Sequence, residues 1–162
     1  MKKTGASIVL LMILLQGMAL FTGCGGESVE GKEELVLYSI ENIIVPGERE
    51  GDLIVEWRRK STGPGDVDPE ELAQRFWEYK GGALIEISRE EHKELAAMRD
   101  EGDNNVWTYS QHAVTVLEMD ESGEDAVVEI GTLYNSLSGK GVKYRMRSEN
   151  GTWEVLSEQQ VW

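Results

Sequence analysis

One cysteine, two histidines and three prolines are all that 162 residues hold of these types, and 16 basic side chains face 30 acidic ones. A single thiol excludes an internal disulfide and every metal site built from cysteine pairs. The two histidines, His92 and His112, lie twenty positions apart, so the helical pair with histidines four apart that binds zinc is missing. No Gly-x-Ser-x-Gly turn exists to raise a serine nucleophile, and no cofactor or metal motif replaces it. The formal charge of −14 argues against nucleic acid, whose phosphates need a basic footprint, and against lying flat on anionic lipid. Cationic partners remain permitted, although an acidic excess is most often a solvated surface.

What is present is concentrated at the start. Lys2 and Lys3 precede an apolar stretch from Ala6 to Phe21, and the run Leu20-Phe21-Thr22-Gly23-Cys24 closes it. About sixteen apolar residues interrupted by Gln16 and Gly17 are short for a transmembrane helix, which needs roughly twenty. The arrangement resembles the signal peptide and lipobox of bacterial lipoproteins. That resemblance implies cleavage after Gly23, acylation of Cys24 and an address in the bacterial cell envelope, membrane-anchored and facing the extracytoplasmic side. An ordinary secretory signal cut near Gly23, or an uncut signal anchor, are the alternatives.

Cleavage would leave 139 residues, enough for one domain with a real core, and losing Lys2 and Lys3 would take the charge from −14 to −16. The expected division is a signal peptide over 1–23, a small polar tether over 24–32 and a single domain over 33–162.

Within that domain, Glu33 to Val45 fits a helix through Leu35, Tyr38 and Ile43 and a strand through Val36, Tyr38 and Ile40; two leading glutamates favour the helix. Asp52 to Arg59 reads as a strand, with Leu53, Val55 and Trp57 on one face. Asp68, Pro69 and Glu71 form a capping signature ahead of Leu72, Phe76 and Tyr79 at helical spacing, with Gly81-Gly82 as the stop. Ser88 and Glu91 repeat the capping box for a second helix through about Glu101. Four β-rich runs follow, Val106 to Met119, Ala126 to Tyr134, Val142 to Arg147 and Thr152 to Ser157, and Asn150-Gly151 between the last two is a strong hairpin signal. These elements predict an α+β fold: an antiparallel curved sheet, made of a C-terminal meander of about four strands plus one N-terminal strand, packed against two to three helices.

The stretch from Ala126 to Tyr134, the run Leu137 to Tyr144, then Asn150-Gly151-Thr152-Trp153 and the closing Val161-Trp162 resemble the C-terminal hairpins of uncharacterised exported bacterial proteins. More loosely they resemble the curved sheet of nuclear transport factor 2-like and cystatin-like folds. The resemblance spans about the last fifty residues and implies a fold rather than an activity.

Few residues stand out as chemical candidates. His112 is the weak catalytic candidate, an acid or base projecting from the sheet toward a cavity with a nearby acid or Tyr109. Trp77, beside Phe76 and off the helical stripe, is a possible partner contact, with burial on a wide face as the alternative. The acidic stretches Asp100 to Asn105 and Asp120 to Asp125 lack the spacing of a calcium loop and read as turns. The expected role is a lipid-anchored module that meets the membrane only through its lipid and binds an envelope protein or a small ligand, without nucleic acid or cofactor. The alternative is a small extracytoplasmic enzyme using a cavity between sheet and helices, with His112 as acid or base.

Overall fold

The computed structural model describes residues 29–48, 52–60, 73–100, 107–135 and 138–162. The signal peptide, Cys24, and the helix start at Asp68, Pro69 and Glu71 lie outside the described residues. So does most of the acidic stretch after Asp100.

Helix α1 runs Val29–Ser39, widens into a π-helical turn at Ile40–Ile44 and finishes with one α turn at Val45–Gly47. It takes in Val29 to Lys32, which the composition places in the tether. Leu35, Val36, Ile40 and Ile44 all fall on one side and are at most 3% exposed. Ser39, also fully buried, donates its hydroxyl to the Leu35 carbonyl at 2.8 Å, so no polar group on this face is left wanting. The Val45 N–H reaches back to the Ile40 carbonyl, one residue further than an α-helix would reach.

Among the described residues, seven strands form one mixed sheet in the order β3-β2-β1-β4-β5-β6-β7. They are β1 (Leu53–Arg58), β2 (Ala73–Lys80), β3 (Ala83–Ile87), β4 (Ser110–Met119), β5 (Asp125–Asn135), β6 (Ser138–Glu149) and β7 (Thr152–Gln160). The α+β architecture is therefore present, but the sheet is larger than expected and is not wholly antiparallel: β1 and β4 run parallel, Val55 beside His112. The helix expected through Phe76 and Tyr79 is a strand. Arg75, Trp77 and Tyr79 alternate with Phe76, Glu78 and Lys80 across it. Gly81 and Gly82, both at positive φ, make a two-residue hairpin turn into β3 instead of stopping a helix.

The second capping box is formed as expected. Ser88 accepts from the Glu91 N–H, the Glu91 carboxylate accepts from the Ser88 N–H, and helix α2 (Arg89–Ala97) follows, ending short of Glu101. Asn150 and Gly151, at φ of 54° and 77°, turn β6 into β7. Among the described residues, no helix is long and apolar enough to cross a membrane.

The sheet separates two environments. On the α1 side, Leu53, Val55, Trp57, Trp77, Val114, Val116, Val128, Ile130, Met146 and Trp153 close with α1 into one apolar core. Residues of opposite parity, such as Glu56, Phe76 and Gln111, face α2. Arg75 joins α1 to the β3 edge: it pairs with Glu33 and grips Glu86 with two bonds of 2.8 and 2.6 Å. Those two carboxylates raise its already high pKa further.

Candidate functional site

Between α2 and strands β1, β2 and β4 lies an open cavity of about 340 Å³. Its floor is apolar, made by Phe76, Ala73, Ala96 and Ala97, and its rim carries Arg58, Arg89 and Lys93 against one carboxylate, Glu56. This positive bias sits on a chain of strongly negative charge.

Each rim residue has a structural cause. Glu56 and Arg58 are alternate residues of β1 and pair with each other on the α2 face. Arg58 Nε is buried without an acceptor, an arrangement that costs about 1–3 kcal/mol when nothing fills it. Arg89 begins α2, donates to the Ala73 carbonyl at 2.9 Å and lies over the Phe76 ring at 5.5 Å, where the ring face attracts the guanidinium. One turn on, His92 packs on the same ring with centroids 4.8 Å apart. Burial, with Arg58 nearby, drives its pKa down to about 4, so it lines the cavity as a neutral ring at pH 7. Gln111 of β4 donates to the Ala96 carbonyl at 2.9 Å and holds the far end of α2 against the sheet.

His112 is elsewhere. It lies within β4, on the α1 face, and is 5% exposed. Its Nδ1 is 3.1 Å from Thr132 Oγ1 on β5, while Nε2 stands 3.4 Å from a Glu48 carboxylate oxygen and has no hydrogen-bond partner. Burial first and Lys140 second lower its pKa to about 4. The carboxylate within reach is Glu48, which follows α1, and Tyr109 is not a partner. Tyr109 lies across the sheet, donating to Glu78 at 2.9 Å and accepting from Lys80 at 3.1 Å. His112 lines neither the α2 cavity nor the smaller one beside the β4–β5 turn. At pH 7 it is a buried, neutral ring between Thr132 and Glu48.

The structure places Trp77, the possible partner contact, inside the molecule. It is 3% exposed and belongs to the α1-side core, because on a strand its neighbour Phe76 faces α2 and Trp77 must face the other way. The exposed tryptophan is Trp162, at 54%. Its indole rests on Gly131, Gly139 and Gly141, where a methyl on Gly141 would collide with the ring, and Gly141 and the 161–162 segment exchange two backbone bonds. In the second acidic stretch, the Asp120 carboxylate accepts from Ser122, Glu124 and Asp125, as a turn requires. Those bonds, Ser122 foremost, lower its pKa.

The cavity residues escape a reading by motif. Arg58 and Glu56 look like a solvated strand face, and Phe76 looks like a helix stripe. The one available signal is the Ser88–Glu91 capping box, which places Arg89, His92, Lys93 and Ala96 along one side of a short helix. Compared with protein-family models, with curated proteins and with solved structures, the chain matches none.

Proposed function

We propose that this chain is a lipid-anchored extracytoplasmic module that binds a small ligand in the cavity between α2 and the sheet. The anchor rests on the Lys2-to-Cys24 signal and the tether after it, and the binding role rests on the cavity. A lined space with a few polar groups around an apolar floor is the default form of a small-molecule site, and 340 Å³ is at the small end of that class. Chemistry is the weaker reading, since His112 and Tyr109 stand on opposite sides of the sheet and the rim holds binding groups.

Two measurements test the two halves. Cys24→Ala or globomycin treatment should leave a larger precursor in the membrane, and unchanged processing would reject the anchor. Full-length protein purified in mild detergent should carry a small molecule in native mass spectrometry, or gain thermal stability from a dialysable envelope extract. Ala96→Trp, which fills the cavity from α2, should abolish either signal. A ligand held equally by the filled variant would reject the cavity.

A further inference from the structure

We infer that strand β7 is a docking edge for an extended, lysine- or arginine-bearing segment of another protein, which pairs with it as a further strand of the sheet. This surface is separate from the α2 cavity and does not rest on it.

Among the described residues the sheet ends at β3 on one side and at β7 on the other, and the two edges are built differently. β3 is five residues long and leads straight into the cap of α2 at Ser88, so it offers an added strand few backbone partners. β7 runs nine residues, all exposed except Trp153. On such an edge alternate residues turn their N–H and C=O groups away from the neighbouring strand. Lysine and proline, which commonly guard an edge against pairing, are both missing from β7. Exposed Val155 and Leu156 stand at its middle and suit the apolar side chains of a strand laid beside them. Met146 faces Val155 and Arg145 faces Ser157, which leaves Leu156 as a bulge, but pairing resumes and continues to Gln160.

Charge selects the occupant. Two cations of β6 are committed to β5: Arg147, opposite Glu154, bonds to Asp125 at 3.0 Å, and Lys143 pairs with Glu129. A third, Arg145, stands opposite Ser157. Glu154 and Glu158 have no ion pair among the described residues, and β7 carries no cation of its own. They lie opposite Arg147 and Tyr144, three residues apart on β6 and therefore on opposite faces of the sheet. An added strand thus meets a carboxylate on either face. A second copy paired edge to edge would bring four such carboxylates together, on molecules of formal charge −14 each, and like charges across a strand pair repel. A basic segment supplies the opposite charge on both faces.

Hydrogen exchange on the full-length protein in detergent reads the pairing directly. The probe is an end-capped peptide that alternates lysine with valine or threonine and matches β7 in length, nine residues. One control replaces lysine by glutamate. A second places proline at two central positions, which keeps the charge and removes backbone donors. The lysine peptide should slow exchange at the β7 amides that face away from β6 and leave β3 and α2 unchanged. Glu154→Gln and Glu158→Gln should each weaken its binding about threefold, the size of an exposed ion pair. Reversing both charges, Glu154→Lys with Glu158→Lys, should turn the preference toward the glutamate peptide. Both positions are exposed, so these changes leave the core intact. Equal protection by the glutamate peptide would overturn the choice of a basic partner, and equal binding of the proline peptide would overturn strand addition. Protection of β3 in place of β7 would overturn the assignment of the edge. A concentration-dependent dimer with protected β7 amides in the absence of peptide would give the edge to a second copy and overturn the proposal. No protection of β7 by the lysine peptide would reject it outright, while the α2 cavity and its own tests stand unaffected.

Discussion

The two faces of the sheet are built from the same strands and differ in almost everything else. The α1 face is sealed: Leu35, Val36 and Ile40 show no exposure, and facing Val55, Val114 and Val128 show none either. The α2 face is held by single bonds and ring contacts, and α2 has no buried residue at all. A strand places neighbours on opposite sides, so one segment such as Phe76-Trp77 serves both faces at once. The difference assigns the tasks. One face provides the stability, and the other keeps a cavity bordered by charged side chains that a sealed core could not tolerate.

Truncating the two aromatics of β2 should break this comparison most strongly. Trp77→Ala should cost about 3–5 kcal/mol, because the α1-side core cannot close over the missing indole. Phe76→Ala should cost roughly 2 kcal/mol, since its ring already fronts open space and neighbouring groups can relax into the void. Urea unfolding of the two variants measures the gap. Equal losses would mean that the α2 face is as integral to the fold as the other.

Acid should load both faces, and unequally. Each histidine has a folded pKa of about 4 against an ordinary 6.5, so between those values the unfolded chain binds more protons and stability falls as pH falls. Above pH 6.5 the neutral rings cost nothing. At pH 5 a histidine held this low should subtract about 2 kcal/mol relative to pH 8. His112→Gln should remove most of that loss, since its ring is sealed with Thr132 and beside Glu48, and His92→Gln should remove less because its cavity admits water. The window from pH 8 to pH 5 avoids most of the titration of Glu86 and Asp120, whose pKa values are lowered by Arg75 and Ser122. A His92→Gln variant that flattens the profile more than His112→Gln would reverse the ranking of the faces.

Much of the scaffold is legible in the sequence wherever a local signal and a long-range need agree. Asn150-Gly151 demands positive φ at both positions and receives it, and Ser88 with Glu91 caps α2. The β2 segment shows the opposite case. Helical spacing of Phe76 and Tyr79 competes with a two-residue alternation of aromatics, and the Gly81-Gly82 pair is ambiguous between helix stop and hairpin turn until β3 is seen as a strand that needs a partner. Reading β2 as helix also misplaces Trp77 by one face and hides the cavity, because Phe76 and Arg58 meet α2 only once β1 and β2 are neighbours. His112 is visible as a residue but not as a buried one, since its burial depends on α1 continuing through a π turn that delivers Glu48 beside it.

The smallest expected effect is the one that most sharply separates local from global stability. Ser88→Ala removes the hydroxyl that accepts from the Glu91 N–H and frees Glu91 from half of its capping box, a change of about 1 kcal/mol in helix stability. On the α1 face such a change would be shared by the whole core. On the α2 face the helix buries none of its own residues and is held to the sheet through Phe76, the Ala73 carbonyl and Gln111, so the melting temperature should hardly move while α2 opens several times more often than before. Hydrogen exchange should therefore quicken at the amides of His92 to Ala96 and stay unchanged in β4 and β5. Because Arg89, His92 and Lys93 all ride on this helix, ligand affinity should fall in proportion to the closed population. Exchange that quickens equally in β4 and α2 would show the two faces unfolding as one unit, and the division of labour between them would not hold.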